Sequence, residues 1–203
     1  MHPWLHFKTI TKHKLLVMHY CFRAGLYKQG LLHDLSKYAP VEFFVGCRYY
    51  QGDRSPNNAE REETGLSRSW LHHKGRNKHH FEYWVDYVPG DEHIINGVPM
   101  PRKYIAEMVM DRISASRNYL GDKYDQHQPL EYYMKGKEKL WFIHLQTKRD
   151  LEGLLRILDE RGEEVLISYI KNVYLKKDKA RCRISGKHRR AGKNLKNQEQ
   201  INF

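Results

Sequence analysis

The sequence lacks the features that mark secreted, membrane-spanning or disulfide-bonded proteins. No apolar run approaches the length of a membrane span, and the N-terminus has no basic region followed by an apolar one. The three cysteines, Cys21, Cys47 and Cys182, are odd in number and too far apart for a zinc ribbon or a disulfide framework. We therefore expect a cytoplasmic protein with reduced thiols and no membrane partner.

Alternating strand patterns and internal repeats are also missing, whereas apolar residues recur at helical spacing along most of the chain. Segments rich in Gly, Pro and Asn predict loops at residues 51–58 and 89–101. Helices are predicted over residues 11–27, 30–37, 40–50, 59–73 with a break at Gly65, 79–87, 102–120, 147–162 and 163–176, and a further helical turn over residues 129–134. The sequence thus predicts an all-α fold, a bundle of about six to eight helices.

The net charge of +12 is unevenly distributed along the chain. Between Lys176 and Lys196 there are ten Lys or Arg residues and one acidic residue, so about +9 lies in this segment. After residue 176 the apolar residues nearly vanish, which is typical of a flexible segment. We therefore predict a helical domain over residues 1–176 and a flexible basic tail over residues 177–203 that could contact nucleic acid.

The run Leu31-Leu32-His33-Asp34-Leu35-Ser36-Lys37 places an adjacent His and Asp beside an apolar stretch. On a helix, neighbouring side chains lie about 100° apart, so the pair can turn towards a single ion. Imidazole and carboxylate together suit a first-row divalent metal. A simpler interpretation is a histidine at a helix end beside a capping aspartate, so the doublet alone does not define a metal site.

Histidine is abundant, with thirteen residues, and most of them precede residue 81. Two histidine pairs fall in one run, His72-His73-Lys74-Gly75-Arg76-Asn77-Lys78-His79-His80. The pairs are seven residues apart, close to two helical turns, so one imidazole of each pair could face the same metal. Because Lys and Arg separate the pairs, the alternative is a basic strip that faces nucleic acid.

Three further residues complete the candidate set. His13 and His19 lie on the first predicted helix, six residues apart, so they face different sides and are alternatives to each other. Asp111 lies in the middle of a predicted helix, where Asp is mildly unfavourable. Its ordinary role would be a surface salt bridge. The order of the set along the chain, His, His-Asp, His pairs and Asp, is more informative than any one member.

This order resembles the HD-domain superfamily of metal-dependent phosphohydrolases. The motifs that carry the resemblance are His13-Lys14-Leu15-Leu16-Val17, Leu32-His33-Asp34-Leu35-Ser36-Lys37 and Met110-Asp111-Arg112. Residues 5–175 also resemble a largely uncharacterised family of short bacterial and phage HD-like proteins. The gap between His13 and His33 is shorter than is usual in the superfamily. Ser36 stands where the relatives that cleave cyclic dinucleotides have Gly, so that substrate is not expected.

The resemblance implies an HD-like bundle that binds one or two divalent ions, Mn, Fe, Co or Zn. The implied metal ligands are His13, His33, Asp34, His73, His80 and Asp111, with His19, His72 and His79 as alternates. Asp34 would bridge two ions and would act in catalysis together with Lys37. The expected substrate is a small phosphate ester, a nucleotide or cyclic nucleotide, whose phosphate would contact Lys37, Arg76 and Lys78. Trp70, Tyr83 and Trp84 are candidates to stack on a base, and Glu42 and Glu107 to support the ligands.

Two other functions fit the same residues. The basic tail and the histidine strip could bind nucleic acid without catalysis, although binding to phosphates gains nothing from Asp34 and Asp111. Alternatively, a histidine-rich di-iron centre in an HD-like fold could activate oxygen rather than water. Metal content distinguishes the first alternative from an enzyme, because only a metal site would lose its ion on His33→Ala.

Overall fold

The computed structural model describes residues 1–87, 89 and 95–176. Its described part contains eight α-helices and one two-stranded hairpin, so the predicted all-α class is confirmed. The helices are α1 Pro3–Arg23, α2 Tyr27–Leu32, α3 Pro40–Arg48, α4 Pro56–Thr64, α5 Arg68–Lys74, α6 Arg102–Leu120, α7 Gln128–Gly136 and α8 Leu145–Tyr169. Strands β1, Val85–Tyr87, and β2, Ile95–Gly97, pair in antiparallel fashion. The tail predicted over residues 177–203 lies outside the described residues.

The core lies where α1, α6 and α8 bring their apolar faces together. α6 begins directly after Pro101, as predicted. Its Ile105, Val109 and Ile113 are fully buried at intervals of four residues, so one stripe of this helix faces the core. Because α6 also carries polar residues on this buried side, it connects the core to the candidate site described below.

A break in α8 falls at Gly162, where the sequence predicts a helix boundary. Gly162 has φ of +80° and ψ of 175°, a conformation that residues with a side chain rarely adopt. The next residue, Glu163, accepts hydrogen bonds from Tyr20 and Tyr124 hydroxyls at 2.8 Å and from Arg117 Nη2 at 2.9 Å. The break therefore lets one carboxylate join α8 to α1, α6 and the segment that follows α6.

Helix α1 begins eight residues before the predicted N-cap, Thr11, so that prediction is wrong. Pro3 occupies the first turn, where its fixed φ suits a helix and its missing N–H is not needed. The buried residues at this end of the helix include His6 and His13, which alternate with Ile10 and Val17. Since half of this buried face is histidine, its helical periodicity is hidden from an apolar pattern.

The helix predicted over residues 79–87 is also wrong. The chain forms a 3₁₀ turn at Phe81–Tyr83 and then enters β1, which pairs with β2. A Cβ on Gly97 of β2 would overlap the backbone of Phe142 and His144. The hairpin thus packs closely on the segment before α8, a long-range contact that local propensity does not encode.

Two further expectations concern thiols and membranes. Cys21 and Cys47 are buried and free, and Cys182 lies outside the described residues. None of the helices in the described ranges combines the length and apolar character required to cross a bilayer.

Candidate metal centre

The His33-Asp34 doublet lies in a break between two helical segments. α2 ends at Leu32, and a 3₁₀ turn covers Leu35–Tyr38, so the helix predicted across residues 30–37 is wrong. Asp34 has φ of +52° and is the single non-glycine residue of the described part with a positive φ. This left-handed conformation costs about 1–2 kcal/mol. Both residues of the doublet nevertheless lie inside the molecule, 1% and 2% exposed, which indicates that the surroundings hold them there.

The first group of potential metal ligands joins three distant parts of the chain. It contains His13 of α1, His33 and Asp34 of the doublet, and Asp111 of α6. His13 Nε2 lies 3.0 Å from Asp111 Oδ1 and 3.7 Å from Asp34 Oδ2. His33 Nε2 lies 3.3 Å from Asp34 Oδ2 and 3.5 Å from Asp111 Oδ1. The three motifs of the sequence therefore meet in space.

The second group shares Asp34 with the first. Its other members are His73 of α5 and both His79 and His80 from the loop after α5. Asp34 Oδ1 lies 3.3 Å from His73 Nε2 and 3.5 Å from His79 Nε2. His73 Nε2 lies 2.9 Å from His80 Nε2. Asp34 thus presents one carboxylate oxygen to each group, and His79, expected only as an alternate, lies in the cluster beside His80.

The geometry of both groups fits divalent cations. Bonds of about 2.0–2.2 Å from a metal to N and O ligands place neighbouring ligand atoms about 3 Å apart, and the separations above run from 2.9 to 3.7 Å. Four of these atoms are buried without a hydrogen bond: His13 Nε2, His33 Nε2, His79 Nε2 and Asp34 Oδ1. Each such atom costs about 1–3 kcal/mol, so unpaired buried polar atoms are rare in folded proteins. Cations coordinated by the two groups would satisfy all four atoms.

Two glutamates hold the histidine nitrogens that face away from the centre. Glu107 Oε1 lies 3.0 Å from His33 Nδ1 and 3.2 Å from His79 Nδ1. Glu42 Oε2 lies 2.8 Å from His73 Nδ1. Histidines that bind metals commonly pair the second ring nitrogen with a carboxylate, which fixes the tautomer and leaves Nε2 free for the metal. Glu107 and Glu42 therefore lie where residues that support metal ligands are expected, as proposed for them from the sequence.

The carboxylates of the centre are ionised despite their burial. Burial opposes ionisation of Asp34, but His33 and Lys37 outweigh it and hold the pKa of this carboxyl well below its usual value. For Asp111, burial is again outweighed, here by His13 and His33, so its pKa also lies well below the usual value. Two negative charges are therefore available to cations in the interior.

Lys37 contacts the carboxylate shared by the two groups. Its Nζ lies 2.6 Å from Asp34 Oδ2, and 29% of its side chain is exposed. Burial opposes the charge of Lys37, but Asp34 outweighs it and raises the pKa of this ammonium above its usual value. Lys37 also lines a small pocket with Tyr119 and Arg54. Tyr119 and Arg54 also line a larger cleft, described below, that reaches the centre. A charged ammonium therefore lies at the edge of the centre.

Two histidine alternates lie away from the ligand groups. His19 is exposed on α1, with its ring against Tyr20. His72 Nδ1 lies 2.5 Å from Glu42 Oε1, so this imidazole binds a supporting carboxylate instead of facing the centre. Within the described residues, His13 and His73 are therefore the members of their pairs that face the centre.

The expected phosphate ligands Arg76 and Lys78 lie on a different surface from Lys37. Both are exposed. They line a groove that reaches His79 and Glu107 but not Asp111. A phosphate held beside Asp111, at the inner end of the larger cleft, would therefore not contact Arg76 or Lys78.

A cleft of about 500 Å³ reaches the centre, with His79, His80 and Asp111 at its inner end. Its other walls include Arg54, Trp70, Phe81, Arg112, Tyr119 and Tyr132. Of the three aromatic residues expected to stack on a base, only Trp70 lines this cleft. Of Arg54, Arg112 and Tyr119, Arg112 could have been found from the sequence, because it directly follows Asp111. No sequence pattern points to Arg54 or Tyr119.

An all-α fold around five imidazoles and two aspartates defines a helical protein with a candidate two-metal centre. The sequence profile of the family described as "Family of unknown function (DUF5662)" matches residues 2–157, and the chain belongs to this family. The matched range contains every residue of both ligand groups. No curated protein and no solved structure matches the chain.

Proposed function

We propose that the protein is a metal-dependent phosphohydrolase that cleaves a small phosphate ester, a nucleotide being the expected kind. The observation that carries the proposal is the position of Asp34, which offers one oxygen to each of two ligand groups. When bound, two divalent ions would lower the pKa of a coordinated water towards neutrality and offset negative charge on a phosphoryl group. The order of the motifs, which resembles the HD-domain superfamily, supports the same class of reaction.

The residues of the chain would divide the work between binding and orientation. One ion would be held by His13, His33, Asp34 and Asp111, and the other by Asp34, His73, His79 and His80. Glu107 and Glu42 keep the imidazoles turned so that Nε2 faces inward. Because these groups are already oriented, little reorganisation would be needed when the substrate reacts, which is the main source of electrostatic catalysis.

Lys37 would contact the phosphoryl group. Its ammonium has three donors, and only one is needed for Asp34 Oδ2 at 2.6 Å. Lys37 lines a small pocket that shares Arg54 and Tyr119 with the cleft, so a phosphate oxygen where the two meet could accept a second donor while the pair with Asp34 is kept. Lys37 would thereby bind the phosphate, whereas Arg76 and Lys78 line a separate groove and would not.

Metal analysis of the purified protein tests the ligand assignment. We expect up to two equivalents of Mn, Fe, Co or Zn in the wild type and a lower content in His33→Ala and His13→Ala. His19→Ala is the matched control, because His19 lies on the same helix as His13 but is exposed and outside both groups. Wild-type content in the His13 and His33 variants, or no binding by metal-supplemented wild type, would contradict the assignment.

A metal-supplemented screen of nucleotides, cyclic nucleotides and generic phosphate esters tests the reaction. We expect phosphate release or ring opening with at least one class, and a loss of at least about 100-fold in Asp34→Ala, since both ligand groups lose their shared oxygen. If Asp34→Ala loses turnover but retains its secondary structure, the loss is due to the metal centre and not to unfolding. No turnover on any class by metal-loaded protein would refute the hydrolase.

The imidazole-rich ligand set favours one second candidate, a di-iron oxygenase. Five of the seven residues in the two ligand groups are histidines, and mixed histidine and carboxylate sites suit iron as well as zinc or manganese. Oxygen uptake by protein loaded with Fe(II) under reducing conditions separates the candidates. Uptake that depends on Asp34, in the absence of phosphate release, would favour the oxygenase.

A further inference from the structure

Arg112 is a cation of the cleft that has no anionic partner among the described residues. Its Nε is buried without a hydrogen bond, and within the described ranges its guanidinium forms neither a hydrogen bond nor an ion pair. Its Cζ lies 5.7 Å from the ring centre of Phe81 and 5.8 Å from that of Tyr133. Two aromatic rings thus fix the guanidinium in place without neutralising it.

The other two cations near the cleft are already paired. Arg54 reaches Glu62 through both terminal nitrogens at 3.0 Å, and Lys37 binds Asp34. Among the residues that the structure describes, Arg112 is therefore the cation of the cleft whose donors are free for an incoming ligand. This distinction cannot be seen in the sequence, where all three are equivalent basic residues.

The acidic groups of the cleft do not compensate Arg112. Asp53, Glu82 and Asp111 line the same cleft, but within the described residues none of them forms an ion pair with the guanidinium. Asp111 is engaged with His13 at 3.0 Å and belongs to the first ligand group. Because Asp111 and Arg112 are neighbours on α6, their side chains leave the helix about 100° apart. An anion bound to Arg112 would thus lie beside the metal centre and not within it.

The chemistry of guanidinium identifies the ligand class. An enclosed charge without a partner is costly, and the planar fork of arginine matches the paired oxygens of a phosphate or a carboxylate. The cleft volume of about 500 Å³ lies in the usual range for small-molecule sites and exceeds what a single phosphoryl group needs. Trp70 and Phe81 offer apolar walls for the group that joins the two anions.

We propose that Arg112 binds a second anionic group of the substrate, so that the substrate is a phosphate ester carrying another phosphate or a carboxylate. This proposal rests on the proposed phosphohydrolase function only for the identity of the first anion. The assignment makes Arg112 a specificity-determining residue that touches the substrate and leaves the reacting phosphoryl group to the centre around Asp34.

Equilibrium binding to the full-length, chelator-treated wild type tests the proposal independently of turnover. The probes are adenosine 5′-monophosphate and adenosine 3′,5′-bisphosphate, which differ by one phosphate, and phenyl phosphate and 4-carboxyphenyl phosphate, which differ by one carboxylate. We expect the doubly anionic member of at least one pair to bind about ten-fold more tightly, and the pair that shows the difference identifies the second anion.

Arg112→Gln should reduce that ratio to within about two-fold, since glutamine keeps two of the three methylenes but loses the charged fork. Arg76→Gln is the matched control, because it removes one positive charge from the other groove and should leave the ratio unchanged. If Arg112→Gln fails to fold, Arg112→Lys keeps the charge without the fork and should lower the ratio partly.

The outcomes separate the two proposals. Equal binding within both pairs of probes, or an unchanged ratio in a folded Arg112→Gln, would overturn the role of Arg112, even if the enzyme hydrolyses phosphate esters. If the affinity ratio depends on Arg112 but the protein hydrolyses no phosphate ester, the anion site would be supported and only the phosphohydrolase function would be refuted. A fall in melting temperature of Arg112→Gln without a change in the ratio would mean that the two ring contacts are purely structural.

Discussion

Single residues in this protein often serve two partners at once. Glu107 Oε1 faces the Nδ1 atoms of His33 and His79, which belong to different ligand groups. Burial opposes ionisation of Glu107, but its hydrogen bonds to His33 and His79 outweigh burial and lower the pKa of the carboxyl. One ionised side chain on α6 therefore sets the orientation of both groups.

Replacing Glu107 with Gln should weaken metal binding. The amide is neutral and cannot accept two imidazole N–H groups as well as a carboxylate does, so we expect about 10- to 100-fold lower affinity. Competition with a chromophoric chelator measures the affinity. Glu164→Gln is the control, since its side chain is 82% exposed and pairs with Arg23, and neither residue belongs to a ligand group. Equal affinities for the two variants and the wild type would contradict a supporting role for Glu107.

At the scale of elements, breaks in helices decide where the functional residues lie. The left-handed Asp34 separates α2 from the 3₁₀ turn, and Gly162 interrupts α8. The sequence predicts the second break, because Gly permits such a conformation at low cost. It does not predict the first, because an isolated Asp inside an apolar run gives no sign of a positive φ.

Two glycines of α8 should respond in opposite ways to alanine. Gly162 has φ of +80° and ψ of 175°, so Gly162→Ala should lower the free energy of unfolding by about 1–3 kcal/mol. Gly153 lies within the regular helix with nothing within 4 Å of an added Cβ, so Gly153→Ala should raise it by about 0.5–1 kcal/mol. Urea unfolding of both variants measures these changes, and a loss of stability in both would argue against the backbone explanation.

At the scale of the whole molecule, the core and the candidate site are built side by side from shared helices. α6 contributes Ile105, Val109 and Ile113 to the core and Glu107 and Asp111 to the site. The core described ends with Tyr174. Most of the excess positive charge lies after Lys176, outside the described residues. The core described and the candidate site therefore lie within residues 1–176, whereas most of the excess positive charge lies in residues 177–203.

A chain that ends at Lys176 should keep the fold and the metal while losing affinity for nucleic acid. Since the core described lies before residue 176, the melting temperature should stay within about 3 °C of the full-length value. Binding to duplex DNA at low salt should weaken, and the slope of its salt dependence should fall, because about nine positive charges are removed. DNA binding that is unchanged in the shortened chain would contradict a role for residues 177–203 in contacting nucleic acid.

Much of the architecture could be predicted because Pro and Gly mark helix ends by local rules. Pro40 and Pro101 stand at the starts of α3 and α6, and Gly162 at the break in α8, where the sequence places them. The start of α1 and the β hairpin could not be predicted. In the first case histidines form part of the buried face, and in the second a backbone contact with residues 142–144 selects the strand.

The sequence by itself determined the class of fold and the small set of side chains from which a metal site could be built. It did so because helical periodicity and residue chemistry are local properties. Only the tertiary structure decided that His13 faces the centre and His19 does not, that His79 and His80 both lie in one ligand group, and that Arg112 has no anionic partner among the described residues. These choices depend on which distant helices meet and how each side chain is oriented there, and a one-dimensional pattern does not contain that information.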